Sequence, residues 1–247
     1  MPEHGVQDAE FTVLKDADAV ARDVADRLME RALAAKGPLS VALSGGSTPK
    51  KFYGLMAGKD YADRFPWERV HFFYGDDRFV PHDDPDSNAG MADRLLFSKI
   101  DIPAANIHPM PDSGDAEDAA RAYERNLKEY YEADTLDPGR PLFDIVLLGL
   151  GENGHTASLF PRQPVLHERE RWVATCVPDD APHTRLTLTY PAIASSREVW
   201  FLVTGQGKQQ VLERVRAGDP AEPASHIVSE GRITFLADSA AAGESRT

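Results

Sequence analysis

The run Phe143-Asp-Ile-Val-Leu-Leu-Gly-Leu150 constrains this chain more than any other segment. Its apolar stretch, Ile145 to Leu150, is far too short to span a bilayer. A strand that continuously apolar is covered on both faces, which places it at the centre of a sheet. Shorter runs of similar character lie around it. Phe11–Leu14, Leu39–Leu43 and Val70–Tyr74 precede it; Trp172–Val177, Leu186–Thr189, Val199–Val203 and Ile233–Leu236 follow. Helical patterns separate several of them. Asp16 to Lys36 carries Val20, Val24, Leu28 and Ala32 at helical spacing and stops at Gly37-Pro38. Thr48-Pro49 predicts a helix start, with Thr as N-cap and Pro at the first helical position. Further helices are predicted near Ala89–Ser98, over Ala116–Glu132 and near Gln206–Arg216. Strands alternating with helices predict an α/β fold, a mostly parallel open sheet with helices on both faces. No linker-like change of composition divides the chain. One domain over residues 1–247 is expected, with a core of about 11–236 and loose ends.

With 247 residues the chain is long enough to bury a sizeable core. Its 42% hydrophobic and 27% charged residues are ordinary for a globular protein. The first residues, Met-Pro-Glu-His-Gly-Val, have neither a basic nor an apolar region of a secretory signal, so a cytoplasmic protein is expected. The single cysteine, Cys176, excludes an internal disulfide and a cysteine-based zinc site. Lys and Arg total 27 against 40 Asp and Glu, a net charge of −13. That field repels phosphodiester backbones and anionic lipids, so neither nucleic acid nor membrane is expected as a partner. A small phosphorylated ligand is not excluded, because nearby cations and N–H groups dominate at contact distance.

In open sheets of this class ligands bind beyond the carboxyl ends of the strands. Four segments near those ends carry unusual chemistry. In Ser44-Gly45-Gly46-Ser47-Thr48-Pro49 two glycines allow close backbone approach, three hydroxyls are added, and a new helix presents free N–H groups. This is an anion cradle of the helix N-terminus type rather than an ordinary capped turn. It is not a nucleotide P-loop, because the Lys-Ser/Thr ending is missing. In Gly75-Asp76-Asp77-Arg78, Arg78 is placed for a bidentate phosphate contact and Asp76 for sugar hydroxyls. A solvated acidic loop whose Arg offsets its carboxylates is an equal reading. Asp83, Asp84 and Asp86 suggest a Ca²⁺ loop, but their spacing fails the EF-hand pattern, so no metal is expected.

The third segment is Gly149-Leu-Gly151-Glu-Asn153-Gly154-His155-Thr-Ala-Ser-Leu-Phe160-Pro161. It contains G-x-G-x-x-G after a strand, yet Pro161 and Pro164 come too soon for the long helix a dinucleotide fingerprint opens. His155, beside a glycine-rich turn at the end of the most buried strand, is the candidate general base. The fourth is a pair of cations, Arg185 at the start of Arg-Leu-Thr-Leu-Thr and Lys208 in Thr204-Gly205-Gln-Gly-Lys208. Residue by residue, a surface Arg and an ordinary helix Lys remain open readings for these two. No H-E-x-x-H, G-x-S-x-G or Cys–His arrangement occurs.

Taken in order, Ser-Gly-Gly-Ser-Thr-Pro, Asp-Asp-Arg, Gly-Leu-Gly-Glu-Asn-Gly-His-Thr-Ala-Ser-Leu-Phe-Pro, Arg-Leu-Thr-Leu-Thr and Gly-x-x-Lys resemble the 6-phosphogluconolactonase family, within the larger group that includes glucosamine-6-phosphate deaminase. The resemblance runs from about Phe11 to Leu236. It implies a Rossmann-like, deaminase-like fold and hydrolysis of 6-phospho-D-glucono-1,5-lactone to 6-phosphogluconate, a carboxylic-ester hydrolysis of the pentose phosphate pathway. It implies His155 as the base that activates water, and Ser44, Gly45, Gly46, Ser47, Thr48, Arg78, Arg185 and Lys208 around the substrate phosphate. No cofactor is implied, and a monomer or small homo-oligomer is expected. Backbone N–H groups of the Gly151–His155 turn are expected as oxyanion donors. Many relatives look to have Asp where this chain has Asn153. Deaminase relatives look to carry Glu where this chain has Phe160, and loss of that carboxylate favours the lactonase over amino-sugar chemistry.

Overall fold

The computed structural model describes residues 4–179 and 181–244. Eleven strands occur among them: β1 (His4–Gly5), β2 (Glu10–Leu14), β3 (Leu39–Leu43), β4 (Val70–Tyr74), β5 (Asp76–Arg78), β6 (Phe143–Gly149), β7 (Val173–Cys176), β8 (Arg185–Leu188), β9 (Ser196–Val203), β10 (Val228–Ser229) and β11 (Arg232–Asp238). Seven α-helices join them: α1 (Ala17–Ala34), α2 (Ser47–Met56), α3 (Lys59–Ala62), α4 (Asn88–Leu95), α5 (Ala116–Tyr131), α6 (Tyr190–Ala194) and α7 (Gln209–Arg216). Six strands form one sheet in the order β2-β11-β9-β6-β3-β4, and every pairing in it is parallel. The expected α/β class is therefore the observed one, with β6 in the interior and Ile145 to Leu148 fully buried.

Both faces of the sheet are covered, and edge strand β4 illustrates how. Successive strand residues point to opposite faces. Phe72 packs with Trp67 and Phe97 at ring separations of 6.0 and 5.3 Å. Its neighbour Phe73 instead meets Tyr130 of α5 at 4.9 Å and Phe143 of β6 at 5.7 Å. Helix starts follow the sequence signals where a short polar side chain is available. Asp16 accepts from the Ala19 N–H at 2.9 Å to begin α1, and Asp115 from Asp118 at 3.0 Å to begin α5.

Two expectations need correction, and one element carries no expectation at all. The runs 172–177 and 186–189 do not join the parallel sheet. As β7 and β8 they form a separate antiparallel sheet with β5, in the order β5-β8-β7. Strand β5 is Asp-Asp-Arg and has no hydrophobic pattern by which sequence could mark it. The element without an expectation is Tyr190–Ala194, helical although its five residues are too few for a periodic signal. Secondly, the ends are tied in beyond 11–236. His4 and Gly5 pair with Ser229 and Val228, and Val6 and Ala241 are buried. Residues 1–3 and 245–247 lie outside the described residues. Among those described, no helix is long and apolar enough to cross a membrane.

The crossing between the two sheets positions the site. Gly75 alone separates β4 from β5. Its N–H donates to the Leu43 carbonyl at 2.8 Å, and its own carbonyl accepts from the Leu188 N–H at 2.8 Å. One residue thus pairs with β3 on one side and β8 on the other. The chain leaves the parallel sheet at its carboxyl end and places Asp76, Asp77 and Arg78 directly above it.

Candidate active site

A cavity of about 320 Å³ opens at the carboxyl ends of β3, β6 and β9, walled on one side by β5 and β8. Ser44, Gly45, Gly46, Ser47, Thr48, Asp76, Arg78, His155, Arg185 and Lys208 all line it. Segments up to 164 positions apart in sequence (44 to 208) converge there. Asn153 is the one expected site residue outside this cavity. It lines an adjoining one and reaches the site through His155.

The glycine-rich loop differs in one detail from expectation. Thr48 is not the N-cap and Pro49 is not the first helical residue. Gly46 caps α2 with φ of 107°, a backbone conformation that disfavours side chains, and the helix begins at Ser47. Starting earlier leaves the first-turn N–H groups of Ser47 and Thr48 without intrahelical acceptors. Both residues line the cavity, so the helix end presents donors and a positive dipole there. Thr48 uses its hydroxyl elsewhere, on the Thr204 hydroxyl at 2.8 Å. Gly45 is required by proximity, because a β-carbon there would overlap the side-chain amide of Asn88.

Opposite the loop stands a pair of like charges. The β5–β8 register sets Arg78 directly across from Arg185. Like charges so placed are destabilising unless something compensates them. Among the described residues neither forms an ion pair. Arg78 donates through Nη1 to the Asp86 carbonyl at 2.6 Å and to Asn88 Oδ1 at 3.3 Å. Arg185 is 6% exposed and donates through Nη2 to the Pro182 carbonyl at 3.2 Å, while its buried Nε has no acceptor. Burial, then the Arg78 charge, holds the Arg185 guanidinium below its usual pKa. Two guanidiniums in register with donors to spare are chemically able to hold an oxyanion. Buried Asp76 tempers them from beneath. Its carboxylate accepts from the Ser158 hydroxyl at 2.6 Å, and burial raises its pKa against the pull of Ser158, Arg78 and Arg185.

The acidic loop behind is occupied with structure. Asp77 accepts from the N–H groups of Asn88 and Ala89 at 2.6 and 2.9 Å, which holds the start of α4. Asp84 Oδ1 accepts from the Asp86 N–H at 2.8 Å, and Asp86 Oδ2 lies 3.1 Å from His183 Nε2. No group of three or more His, Cys, Asp or Glu gathers as a metal site among the described residues.

His155 sits where β6 ends in a tight turn. Gly154 has φ of 77°, and a β-carbon on Gly151 would overlap the imidazole. Asn153 Oδ1 lies 3.2 Å from the His155 N–H and 2.6 Å from its ring Nδ1. The backbone N–H is necessarily a donor, so the Asn atom must be its carbonyl oxygen, and Nδ1 must carry hydrogen to reach it. The other ring nitrogen, Nε2, is then left with a free lone pair. Phe160 stacks on the ring at 4.2 Å. Burial, followed by the charges of Lys208, Arg185 and Arg78, pushes the imidazole pKa down to about 4. His155 is accordingly a neutral imidazole at pH 7, and the three cations are close enough to act on it.

The turn does not supply oxyanion donors as freely as expected. The N–H groups of Gly151, Gly154 and His155 already donate to His155 O, Gly151 O and Asn153 Oδ1. A tight turn satisfies its own backbone, and the sequence does not reveal which groups are used. Sequence reading also missed Asn88, Ser158 and Thr204 as parts of the site. Each lies in a loop or at an element end, and its partner is remote in sequence, so no local pattern marks it.

The family model described as "Glucosamine-6-phosphate isomerases/6-phosphogluconolactonase" matches residues 15–235. The 6-phosphogluconolactonase of Synechocystis sp. is 43% identical over 213 residues, covering 84% of this chain and 85% of the relative. That of Mycobacterium tuberculosis is 37% identical over 247 residues, covering 94% and 96%. Among solved structures, 6-phosphogluconolactonase from Trypanosoma cruzi superposes with a TM-score of 0.84 at 31% identity, covering 95% of this chain and 96% of that one.

Proposed function

The chain belongs to the glucosamine-6-phosphate isomerase/6-phosphogluconolactonase family, and from that premise we propose that it hydrolyses 6-phospho-D-glucono-1,5-lactone to 6-phosphogluconate with His155 as general base. One observation carries the assignment of roles. His155, its Nδ1 pinned by Asn153, lines the same cavity as the Arg78–Arg185 couple, which forms no ion pair among the described residues. Chemistry and anion binding thus have separate walls in one site. The substrate phosphate carries nearly two negative charges at neutral pH. It sits against the arginine pair, Lys208 and the first turn of α2, and this holds the lactone carbonyl beside His155.

Nε2 takes a proton from water as its oxygen attacks C1. The carbonyl electrons move to oxygen, giving a tetrahedral oxyanion. Its collapse breaks the bond from C1 to the ring oxygen, and the imidazolium returns its proton to that oxygen. The products are an open-chain acid and a neutral His155. No metal or organic cofactor enters the balance. Chelator dialysis is therefore expected to leave turnover unchanged; activity lost and restored by a divalent ion would reassign the Asp83-Asp84-Asp86 loop.

Phe160 separates this reading from amino-sugar chemistry. It covers His155 with an apolar ring at the position where the resemblance gives deaminases a carboxylate. The test supplies fresh lactone in situ from glucose 6-phosphate and its dehydrogenase, and separately supplies glucosamine 6-phosphate. Acid formation above spontaneous hydrolysis, with no ammonia from the amino sugar, is expected. The reverse result would overturn the proposal.

The pH dependence has a defined sign. An imidazole pKa lowered to about 4 keeps His155 unprotonated, and the base is lost only as pH falls through that region. A bound phosphate dianion offsets Lys208, Arg185 and Arg78, so the same pKa rises in the complex. Proton NMR of the His155 ring should give a titration well below the ordinary 6.5 in the free protein and an upward shift with 6-phosphogluconate. Asn153→Asp should raise both values by adding a carboxylate at Nδ1. A ring that titrates near 6.5 in the free protein, or does not respond to ligand, would contradict the placement of the cations.

A further inference from the structure

Four carboxylates among the described residues are almost wholly buried, and three have evident partners. Asp76 faces the arginine pair, Asp77 holds the start of α4, and Glu222 pairs with Arg214 at 2.6 Å. Asp238 is different. It is 6% exposed, ends β11, and has no cation within salt-bridge distance among the described residues. Among the described residues only backbone donors satisfy it. The Gly205 N–H reaches Oδ1 and Oδ2 at 3.0 and 3.1 Å, and the Ala241 N–H reaches Oδ1 at 2.8 Å. A buried carboxylate is costly without such bonds, so its presence calls for a task that a neutral residue performs less well.

The task follows from what Gly205 controls. Gly205 has φ of 95°, and a β-carbon there would meet nothing within 4 Å. Conformation, not space, demands the glycine. Its carbonyl accepts from the Lys208 N–H at 3.0 Å, closing the turn that lifts Lys208 over the cavity. On the other side of the same turn, the hydroxyls of Thr204 and Thr48 meet at 2.8 Å and tie it to the anion-binding helix start. Asp238 grips the turn from behind while Thr204 grips it from the site. Lys208 has no carboxylate partner among the described residues, so the turn's backbone alone sets where its ammonium begins.

We propose that Asp238 is a positioning residue that fixes the Thr204–Lys208 turn, through charge-assisted bonds to Gly205, so that Lys208 meets the anionic group of the substrate. Charge-assisted bonds are roughly twice as strong as neutral ones. They hold the backbone of the turn, and with it the point from which the Lys208 side chain reaches the cavity. The inference rests on the sugar-phosphate reading above and goes beyond it, since Asp238 touches no part of the cavity.

The experiment is a double-mutant cycle on binding. Asp238→Ala, Asp238→Asn, Lys208→Ala and the Asp238→Ala/Lys208→Ala double variant are titrated with 6-phosphogluconate by calorimetry, with thermal midpoints recorded. Asp238→Ala should weaken binding about tenfold, and Asp238→Asn less, in the range of a lost charged hydrogen bond. On top of Lys208→Ala the same change should cost less than about twofold, because the group it positions is gone. In the two single Asp238 variants, turnover of unphosphorylated glucono-1,5-lactone should stay within about twofold of the parent. Equal losses in both backgrounds, or equal losses on both lactones, would make Asp238 merely structural and overturn the proposal. Should Asp238→Ala not fold, Asp238→Asn carries the comparison, and unchanged binding in it overturns the proposal as well. The cycle itself is read by binding, so the coupling it gives is independent of the lactonase reading. A protein without lactone turnover but with the coupling intact would refute the activity and keep Asp238, and normal turnover without coupling would do the opposite.

Discussion

His155→Ala is expected to lower kcat for the phosphorylated lactone by about 10²–10⁴ while binding of 6-phosphogluconate stays near the parent value, the range that loss of a general base produces. The expectation follows from the ring's place. Its Nδ1 is spent on Asn153, and its stacking on Phe160 fixes the ring plane. Nε2 remains free to take the proton. The ring carries no charge at pH 7, so its removal takes nothing from the attraction for phosphate. Turnover of unphosphorylated glucono-1,5-lactone should fall by a similar factor. A variant keeping more than half of the parent turnover would remove His155 from the chemistry.

The arginines should behave in the opposite way. Arg78→Ala and Arg185→Ala are each expected to raise KM for the phosphorylated lactone about tenfold to a hundredfold, since a charge-assisted contact is worth roughly 1.5–3 kcal/mol. Hydrolysis of the unphosphorylated lactone should barely change, because the lost contact has no partner there. The fold sharpens this expectation. The two side chains oppose one another across β5 and β8 and form no ion pair among the described residues. Arg78→Ala therefore removes repulsion from Arg185 together with the bonds to the Asp86 carbonyl and Asn88, opposing effects that should leave the thermal midpoint of the free protein little changed. Steady-state kinetics on both lactones, with a melting curve for each variant, checks both statements. Equal damage to both substrates would move the arginines from the anchor to the reacting carbonyl.

How much of this was legible in the sequence depended on the range of the interaction. Strand β3 and strand β4 have the bounds their apolar runs predict, and β6 lies inside the sheet as its continuous apolar run required. Helix α1 announces itself through periodicity and its Gly37-Pro38 stop. The glycine loop and the His155 turn were visible because glycine and hydroxyl residues cluster locally for local backbone reasons. Sheet membership was not visible. Alternating strands and helices suggest one sheet, yet β5, β7 and β8 form another, and the hinge between the two is the single residue Gly75. The same limit hid the partners that tune the site. Asn88 against Gly45, Ser158 on Asp76, Thr204 on Thr48 and Asp238 on Gly205 each join segments far apart in sequence. Arg185 and Lys208 stood between surface and site in the sequence. Only the fold makes them the third wall of the cavity, where their charges reach the His155 ring.

The account turns on whether the protein opens the lactone ring through His155. Phosphorus NMR can follow freshly prepared 6-phospho-D-glucono-1,5-lactone in three parallel tubes: buffer alone, a catalytic amount of the protein, and the same amount of His155→Ala. The lactone signal should pass to 6-phosphogluconate far faster with the protein than in buffer, and His155→Ala should follow the buffer closely. Equal decay in all three tubes would contradict the assigned reaction. Fast decay with both proteins would contradict the assigned base.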